Sequence, residues 1–347
     1  MRGEPAAALF ARARGLRAAA GGAERPPSGL VLVILASNLP ALVVQPLLPA
    51  LAARRPVLLK SPSSEPLFTP AFVRALAGRL PPLSAALAAA TWRGGDQAVE
   101  RPLLARAATV LAYGGDETVE SLRRRAAGAG TARVVGYAAR TSLAVVAEDA
   151  DLHRAAAGLA RDVALFDQRG CLSVAAVYAE GGEGRARELA RTLAEALGKR
   201  AQSWPPGPAA AAELGAVQQV RSEAALRGLF APEVAGAARD PRRGTVVVEP
   251  RPDFRPTPGL RTVRVHPVAD LTALPALLEP WRGRLQGAAL AGERAQALAR
   301  KLEALGVSRT TSPGELQSPD ARWHNGGIDP LEALLDGSSF IRESPSD

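Results

Sequence analysis

One cysteine in 347 residues excludes an intramolecular disulfide framework and a thiolate zinc site. A reducing cytoplasm is therefore the expected compartment. The chain has only three histidines, His153, His266 and His324, with no HExxH and no paired His/carboxylate spacing, so no metal is expected. Aromatic residues make up 4%, too few for a base-stacking platform. Lysine is scarce as well: Lys60, Lys199 and Lys301 stand among 43 Lys and Arg residues. The net charge of +9 is carried by scattered arginines, and the tightest run, Arg123-Arg124-Arg125, follows an acidic stretch. Without a basic patch, nucleic-acid binding is not expected. An uncharged stretch of span length does occur, Leu30 to Ala53, but Pro40, Pro46 and Pro49 with Asn38 and Gln45 interrupt it. It reads as a buried strand, a tight turn and a helix opened by Pro40, and no membrane span is expected. Arg12, Arg14 and Arg17 break up any secretory apolar region in the Ala-rich start.

Apolar runs and helical patterns alternate through the rest. Strands are predicted at Leu30–Leu35, Pro56–Leu59, Thr109–Tyr113, Arg133–Val135 and Leu143–Val146. Helices are predicted near Leu67–Leu80, Glu117–Arg125 and Leu152–Leu165. The second half repeats the style with strands at Leu172–Tyr178, Thr245–Glu249, Thr262–Val265 and Leu285–Leu290. There a helix from Arg185 to Leu197 carries Leu189, Leu193 and Leu197 on one face. Pro-rich loops lie at Ser203–Pro208 and Pro250–Pro258. Strands alternating with helices imply an α/β fold with doubly wound parallel sheets, and the length implies two lobes. Ligands of such sheets bind beyond the carboxyl ends of the strands, so the residues that matter are expected just after strands.

Five places can carry chemistry. Cys171, in Phe166-Asp167-Gln168-Arg169-Gly170-Cys171-Leu172-Ser173, sits between a helix and a strand beside a glycine. It reads either as an inert buried thiol or as a nucleophile whose pKa Arg169 and exposed backbone N–H groups lower below about 8.5. Asn38 follows the first strand, where a carboxamide can donate to a developing oxyanion or cap the turn before Pro40. Lys60 ends the second strand ahead of Ser61-Pro62-Ser63-Ser64-Glu65; an ammonium among hydroxyls suits a nucleotide ribose or 2′-phosphate, and a solvated loop is the other reading. Tyr113-Gly114-Gly115-Asp116-Glu117-Thr118 joins strand to helix, so backbone can approach a pyrophosphate there, although the segment is not a GxGxxG. His324, in the turn Trp323-His324-Asn325-Gly326-Gly327, is the histidine best placed for acid/base work; His153 and His266 read as structural or surface residues.

In order along the chain, these pieces resemble the aldehyde dehydrogenase superfamily, and within it the LuxC-like long-chain acyl-CoA reductases. Asn38-Leu39-Pro40 is similar to the family's Asn-x-Pro turn, and Val57-Leu58-Leu59-Lys60-Ser61 with Ser63 and Glu65 to its cofactor-binding segment. Phe166-Asp167-Gln168-x-x-Cys171-Leu172-Ser173 resembles the nucleophile segment, and its Asp-Gln pair points to the LuxC branch. Arg261–Val265, Gly306–Arg309 and Pro313-Gly314-Glu315 through Gly326 resemble that branch too. The resemblance covers about Leu30 to Leu335. It implies an aldehyde-dehydrogenase-like fold with a nucleotide-binding lobe over 1–160, a catalytic lobe over 161–310 and a C-terminal segment, 311–347, returning toward the first lobe. It also implies NAD(P)H-dependent reduction of an acyl-CoA to an aldehyde through an acyl-enzyme on Cys171. Asn38 and His324 would assist, Lys60, Ser61, Ser63, Gly114 and Gly115 would hold NADPH or NADH, and Ser63 and Ser64 lean the choice slightly toward NADPH.

Three departures stand out. Gly136-Tyr137-Ala138-Ala139-Arg140 carries no carboxylate where acid-forming members keep a glutamate, Asn325 replaces the family's aspartate, and the glutamate segment that holds the nicotinamide ribose is unrecognisable near Arg261–Pro267. Few residues precede the first strand, so a trimmed enzyme or one that has lost equipment is expected, with an oligomer or partner subunit in view. A non-catalytic accessory protein of the same fold and a glutamyl-phosphate-reductase-like enzyme remain the other readings.

Overall fold

The computed structural model of the chain describes residue 11 and residues 29–131, 133–228, 240–320 and 323–335. The chain divides into two compact units, Met1–Ala139 with Asp320–Asp347, and Arg140–Pro319. Each is built on its own parallel sheet, as alternating strands and helices require.

In the first unit, Leu30–Ile34 (β1), Val57–Lys60 (β2), Leu87–Ala90 (β3), Ala107–Tyr113 (β4) and Val134–Tyr137 (β5) pair in the order β3-β2-β1-β4-β5. Every pairing is parallel. β1 is apolar throughout because both its faces are buried. Val31 and Val33 join a core with Val43, Leu47 and Leu59, while Leu32 joins Leu104, Val110 and Leu122 on the other side. The uncharged stretch resolves into β1, a 3-10 turn Pro40–Val43 with proline at its first position, and the helix Val44–Ala52. Among the described residues no helix is long and apolar enough to cross a membrane. Leu331, Ala333 and Leu334 pack into the first unit's core, and Arg55 fixes them by donating from Nη1 to the Leu334 carbonyl (3.1 Å) and from Nε to the Gly29 carbonyl (3.0 Å).

The second unit orders Thr141–Val146 (β6), Val174–Glu180 (β7), Thr245–Val248 (β8), Thr262–Val268 (β9), Leu285–Ala291 (β10) and Arg309–Thr311 (β11) as β11-β10-β6-β7-β9-β8, again all parallel. The helix Gly182–Ser203 buries Leu189, Leu193 and Leu197, the stripe its spacing predicts. β6 lies between β10 and β7, which places residues 140–160 in this unit. That differs from the sequence boundary at 160/161, because an apolar run does not show which sheet it will join. For the same reason residues 311–319 belong here, and the return to the first unit starts at Asp320. The alanine-rich β3 and the helices Gln97–Arg106 and Ala211–Leu226 carry too little periodic contrast to be read in advance.

Two helical glycines have opposite surroundings. A Cβ on Gly158 would stand 2.5 Å from the Pro313 carbonyl oxygen, so this glycine lets the helix Leu152–Ala164 touch the loop at 313. A Cβ on Gly198 would meet nothing within 4 Å. Gly158→Ala should therefore destabilise by about 1–3 kcal/mol from overpacking. Gly198→Ala should stabilise by about 0.5–1 kcal/mol through lower unfolded-state entropy. Thermal melts of the two variants should move in opposite directions; both rising would refute the close contact at Pro313.

Candidate active site

The turn carrying the thiol is built against local preference. After the helix Leu152–Ala164, Phe166, Asp167 and Gln168 take φ of 58°, 50° and 60°, three successive non-glycine residues in the left-handed region. Each such residue costs roughly 1–2 kcal/mol, so something must hold them. The Gln168 amide donates to the Val174 carbonyl (2.7 Å) and the Thr262 carbonyl (2.8 Å), and its oxygen accepts from the Thr262 N–H (2.7 Å). Asp167 Oδ1 accepts from Arg261 Nε (2.8 Å) and Nη2 (2.6 Å), and Oδ2 from the Gly207 N–H (2.8 Å). Leu260 and Arg261 are left-handed too, at φ 50° and 59°. A neutral hydrogen bond returns about 1 kcal/mol and one to a charged group about 1.5–3 kcal/mol, enough to offset the strain.

The rest of the turn is equally tied. Ser142 Oγ donates to the Cys171 carbonyl (2.7 Å), and the Gly170 N–H to Ser173 Oγ (3.2 Å). Gln317 Nε2 donates to Ser173 Oγ (2.6 Å) and to the carbonyls of Asp162 and Leu165. Buried Asp162 accepts from the N–H groups of Gly314 (2.6 Å) and Leu316 (3.1 Å), yet burial still lifts its carboxyl to about 6. Cys171 thus stands three residues ahead of β7, at the amino end of a strand, whereas ligand-facing residues were expected just after strands.

Burial sets the state of the thiol. It pushes Cys171 up to about 11, against the pull of the Cys171 and Leu172 N–H groups on the sulfur and of the nearby Arg140 guanidinium. The expectation that Arg169 lowers this pKa fails. Arg169 is taken up by Glu213 (2.7 Å) and the Pro208 carbonyl, and desolvation of the thiolate outweighs the local dipoles.

In the first unit the sheet gathers the predicted residues at one edge. Asn38 follows β1 and is exposed, Lys60 and Ser61 end β2, and Gly114 and Gly115 follow β4. Strand order reverses between β1 and β4, the crevice where doubly wound sheets bind ligands. Lys60 is buried rather than solvated: Nζ donates to the Ser61 carbonyl (2.9 Å) and lies 5.9 Å from the Trp92 ring centre, and burial lowers its pKa against the pull of Glu100. Ser61 Oγ beside it is buried without a partner among the described residues. That hydroxyl and ammonium fit the hydroxyls or phosphate of a nucleotide. The Gly114–Gly115 turn fits less well, because Asp116 and Glu117 occupy the first turn of the helix it opens and oppose an anion there. Ser63 is exposed, and Glu65 caps the helix Phe68–Arg79 by accepting from the N–H groups of Leu67 and Phe68. His324 Nε2 lies 3.6 Å from Asp329 Oδ2, and Asp329 also accepts from the Leu331 N–H. His266, by contrast, is fully buried in β9 and stacks on Tyr178, and His153 lies on the helix Leu152–Ala164. Sequence reasoning passed over Arg140, Asp329 and the bonding of Gln168 with Thr262. The Asp-Gln pair ahead of Cys171 was the only signal for the last.

Because the thiolate is the reactive form, alkylation of Cys171 by iodoacetamide should rise about tenfold per pH unit between about pH 7 and 9, with no plateau below about 10. A plateau near pH 8 would show that burial does not dominate this thiol.

Comparisons with known proteins show the family and the fold. The chain is similar to the long-chain acyl-protein thioester reductase of Aliivibrio fischeri, 25% identical over 248 residues that cover 71% of this chain and 50% of that protein. It is likewise 23% identical over 246 residues to the Vibrio harveyi protein of the same description, covering 70% of this chain and 50% of that one. The chain thus spans about half the length of these relatives. Among solved structures, an oxidoreductase from Marinobacter aquaeolei superposes with a TM-score of 0.72 at 17% identity over 95% of this chain and 75% of its own. An indole-3-acetaldehyde dehydrogenase from P. syringae, in complex with NAD+ and IAA, gives 0.67 at 18% identity over 93% and 71%. The fold is therefore aldehyde-dehydrogenase-like, as the resemblance implied. The family model described as acyl-CoA reductase (LuxC) matches residues 16–336, and the chain belongs to that family.

Proposed function

We propose that the chain reduces a fatty acyl-CoA to the aldehyde through a thioester on Cys171, using NADPH or NADH. The observation that carries this reading is the Cys171 turn: the chain's one thiol sits in a loop tied by Ser142 at the Cys171 carbonyl and closed by Gln168 on Val174. A buried inert cysteine needs no such framework.

The thiol loses its proton as sulfur bonds the acyl carbon, the carbon–sulfur bond to CoA breaks, and the departing CoA sulfur takes up a proton. His324, paired with Asp329, is the residue proposed to carry protons. Asn38 and the Cys171 N–H are the donors proposed for the oxyanion of the tetrahedral intermediate. Lys60 and Ser61 would hold the nicotinamide nucleotide, with Ser63, Gly114 and Gly115 flanking it; when bound, it supplies the hydride that releases the aldehyde and restores the thiol. The strand end at Gly136 supports reduction over acid release. It bears no carboxylate, and a Cβ there would collide with Val119 and approach Arg123 Nη2 to 3.0 Å. The relatives are described as acyl-protein thioester reductases, and an acylated protein offers the same thioester chemistry; this makes it the second donor to test.

Intact mass after incubation with long-chain acyl-CoA, and separately with an acylated carrier protein, should show an acyl adduct on Cys171 that NADPH removes. Cys171→Ala should form no adduct and keep its nucleotide affinity. Asn38→Ala should acylate about 10²–10³-fold more slowly. An adduct that NADPH leaves in place would mean a working nucleophile without a working nucleotide site. No adduct from either donor would favour a non-catalytic accessory protein, with an acyl phosphate tried next.

A further inference from the structure

Gln168 does more than satisfy its own amide. Its bond to the Val174 carbonyl joins the two ends of the loop 168–174, and Cys171 is the midpoint of that loop. The same amide exchanges a bond pair with Thr262 in β9, 94 positions along the chain. One residue earlier, Asp167 receives both Nε and Nη2 of Arg261, one of the most buried large side chains in the protein. Two left-handed segments, 166–168 and 260–261, therefore face each other and are bonded residue to residue, Asp167 with Arg261 and Gln168 with Thr262.

None of these side chains is aliphatic packing, and a helix followed by a plain loop would need none of them. Asp167 Oδ2 additionally takes the Gly207 N–H, and Arg169 takes the Pro208 carbonyl and Glu213, so the Pro-rich loop at 203–208 is drawn to the same place. A thiol must meet an acyl carbon within a few tenths of an ångström, and a misplacement of about 1 Å costs on the order of 10²-fold in rate. The turn's left-handed backbone is not one its own residues prefer, so the aim of Cys171 depends on the partners from 261 and 262.

We propose that Asp167 and Gln168, clamped by Arg261 and Thr262, are positioning residues that aim the Cys171 sulfur for acyl transfer. The inference rests on Cys171 being the nucleophile of the proposed function. Phe166, left-handed and 42% exposed, carries no bond of the clamp and serves as the comparison.

The test is a double-mutant cycle on the full chain with two readouts, the maximal single-turnover acylation rate by acyl-CoA and the alkylation rate by iodoacetamide. Asp167→Asn and Arg261→Lys should each slow maximal acylation by about 10–100-fold, with half-saturation within about twofold of the parent. The double variant should be no slower than the worse single, as coupled residues demand. Gln168→Met should behave the same way, while Phe166→Ala should stay within about threefold of the parent. Alkylation should rise in the clamp variants, because a released thiol is less buried. Opposite signs in the two readouts separate lost aim from lost fold, and a thermal melt confirms the folded state. Folded clamp variants that acylate at the parental rate, or single effects that multiply in the double variant, would overturn the proposal. If the parent forms no adduct with any thioester, the proposed function fails by itself. Alkylation then still decides the clamp, and a rate unchanged in all the variants would refute it.

Discussion

The three hydrogen bonds of the Gln168 amide are the constraint around which the second unit's chemistry is arranged. A thiol at the amino end of a parallel strand has no helix dipole of its own strand–helix connection to lean on. Its place must come from a turn, and this turn is held in a conformation its residues avoid. The groups that hold it are the Thr262 backbone at the start of β9 and the Arg261 side chain just before it, so sheet order, β7 beside β9, is what brings Thr262 within reach. The parallel sheet is thus not only a core. It is the frame that sets two left-handed segments opposite each other.

Burial is the second determinant. Two N–H dipoles and the Arg140 guanidinium favour the thiolate, and desolvation still prevails. Lys60 shows the same contest in the first unit, where burial lowers the ammonium and Glu100 opposes the shift. In both places burial disfavours the charged form of the group.

The abundance of arginine also finds a physical use. Arg55 holds the Gly29 and Leu334 carbonyls, Arg185 those of Glu148 and Ala150, and Arg309 those of Glu315, Leu316 and Ser318. A guanidinium has five donors in a rigid fork, which suits it to joining several carbonyls at once. Ion pairs add to this: Arg264 with Glu249 is buried, and the exposed Arg294 reaches the buried Glu180. The scatter of positive charge along the sequence thus corresponds to many separate points of attachment.

What could be read in advance follows from periodicity. Runs such as Leu30–Ile34 and Leu143–Val146 announce strands buried on both faces, because burial on both faces leaves no polar positions. The Asn, Lys and Gly-Gly positions after three strands fall on one edge for the same reason: parallel strands all end there. The lone cysteine beside a glycine was also visible, as was the Asp-Gln pair that marks its turn. Only the tertiary structure decided that β6 belongs to the second sheet, since two apolar strands in sequence look alike until one finds its neighbours. Only it decided the state of the Cys171 thiol, which depends on solvent exclusion by distant segments. And only it revealed what Asp167 and Gln168 do, because their partners lie 94 residues away, and no local pattern records a hydrogen bond across that separation.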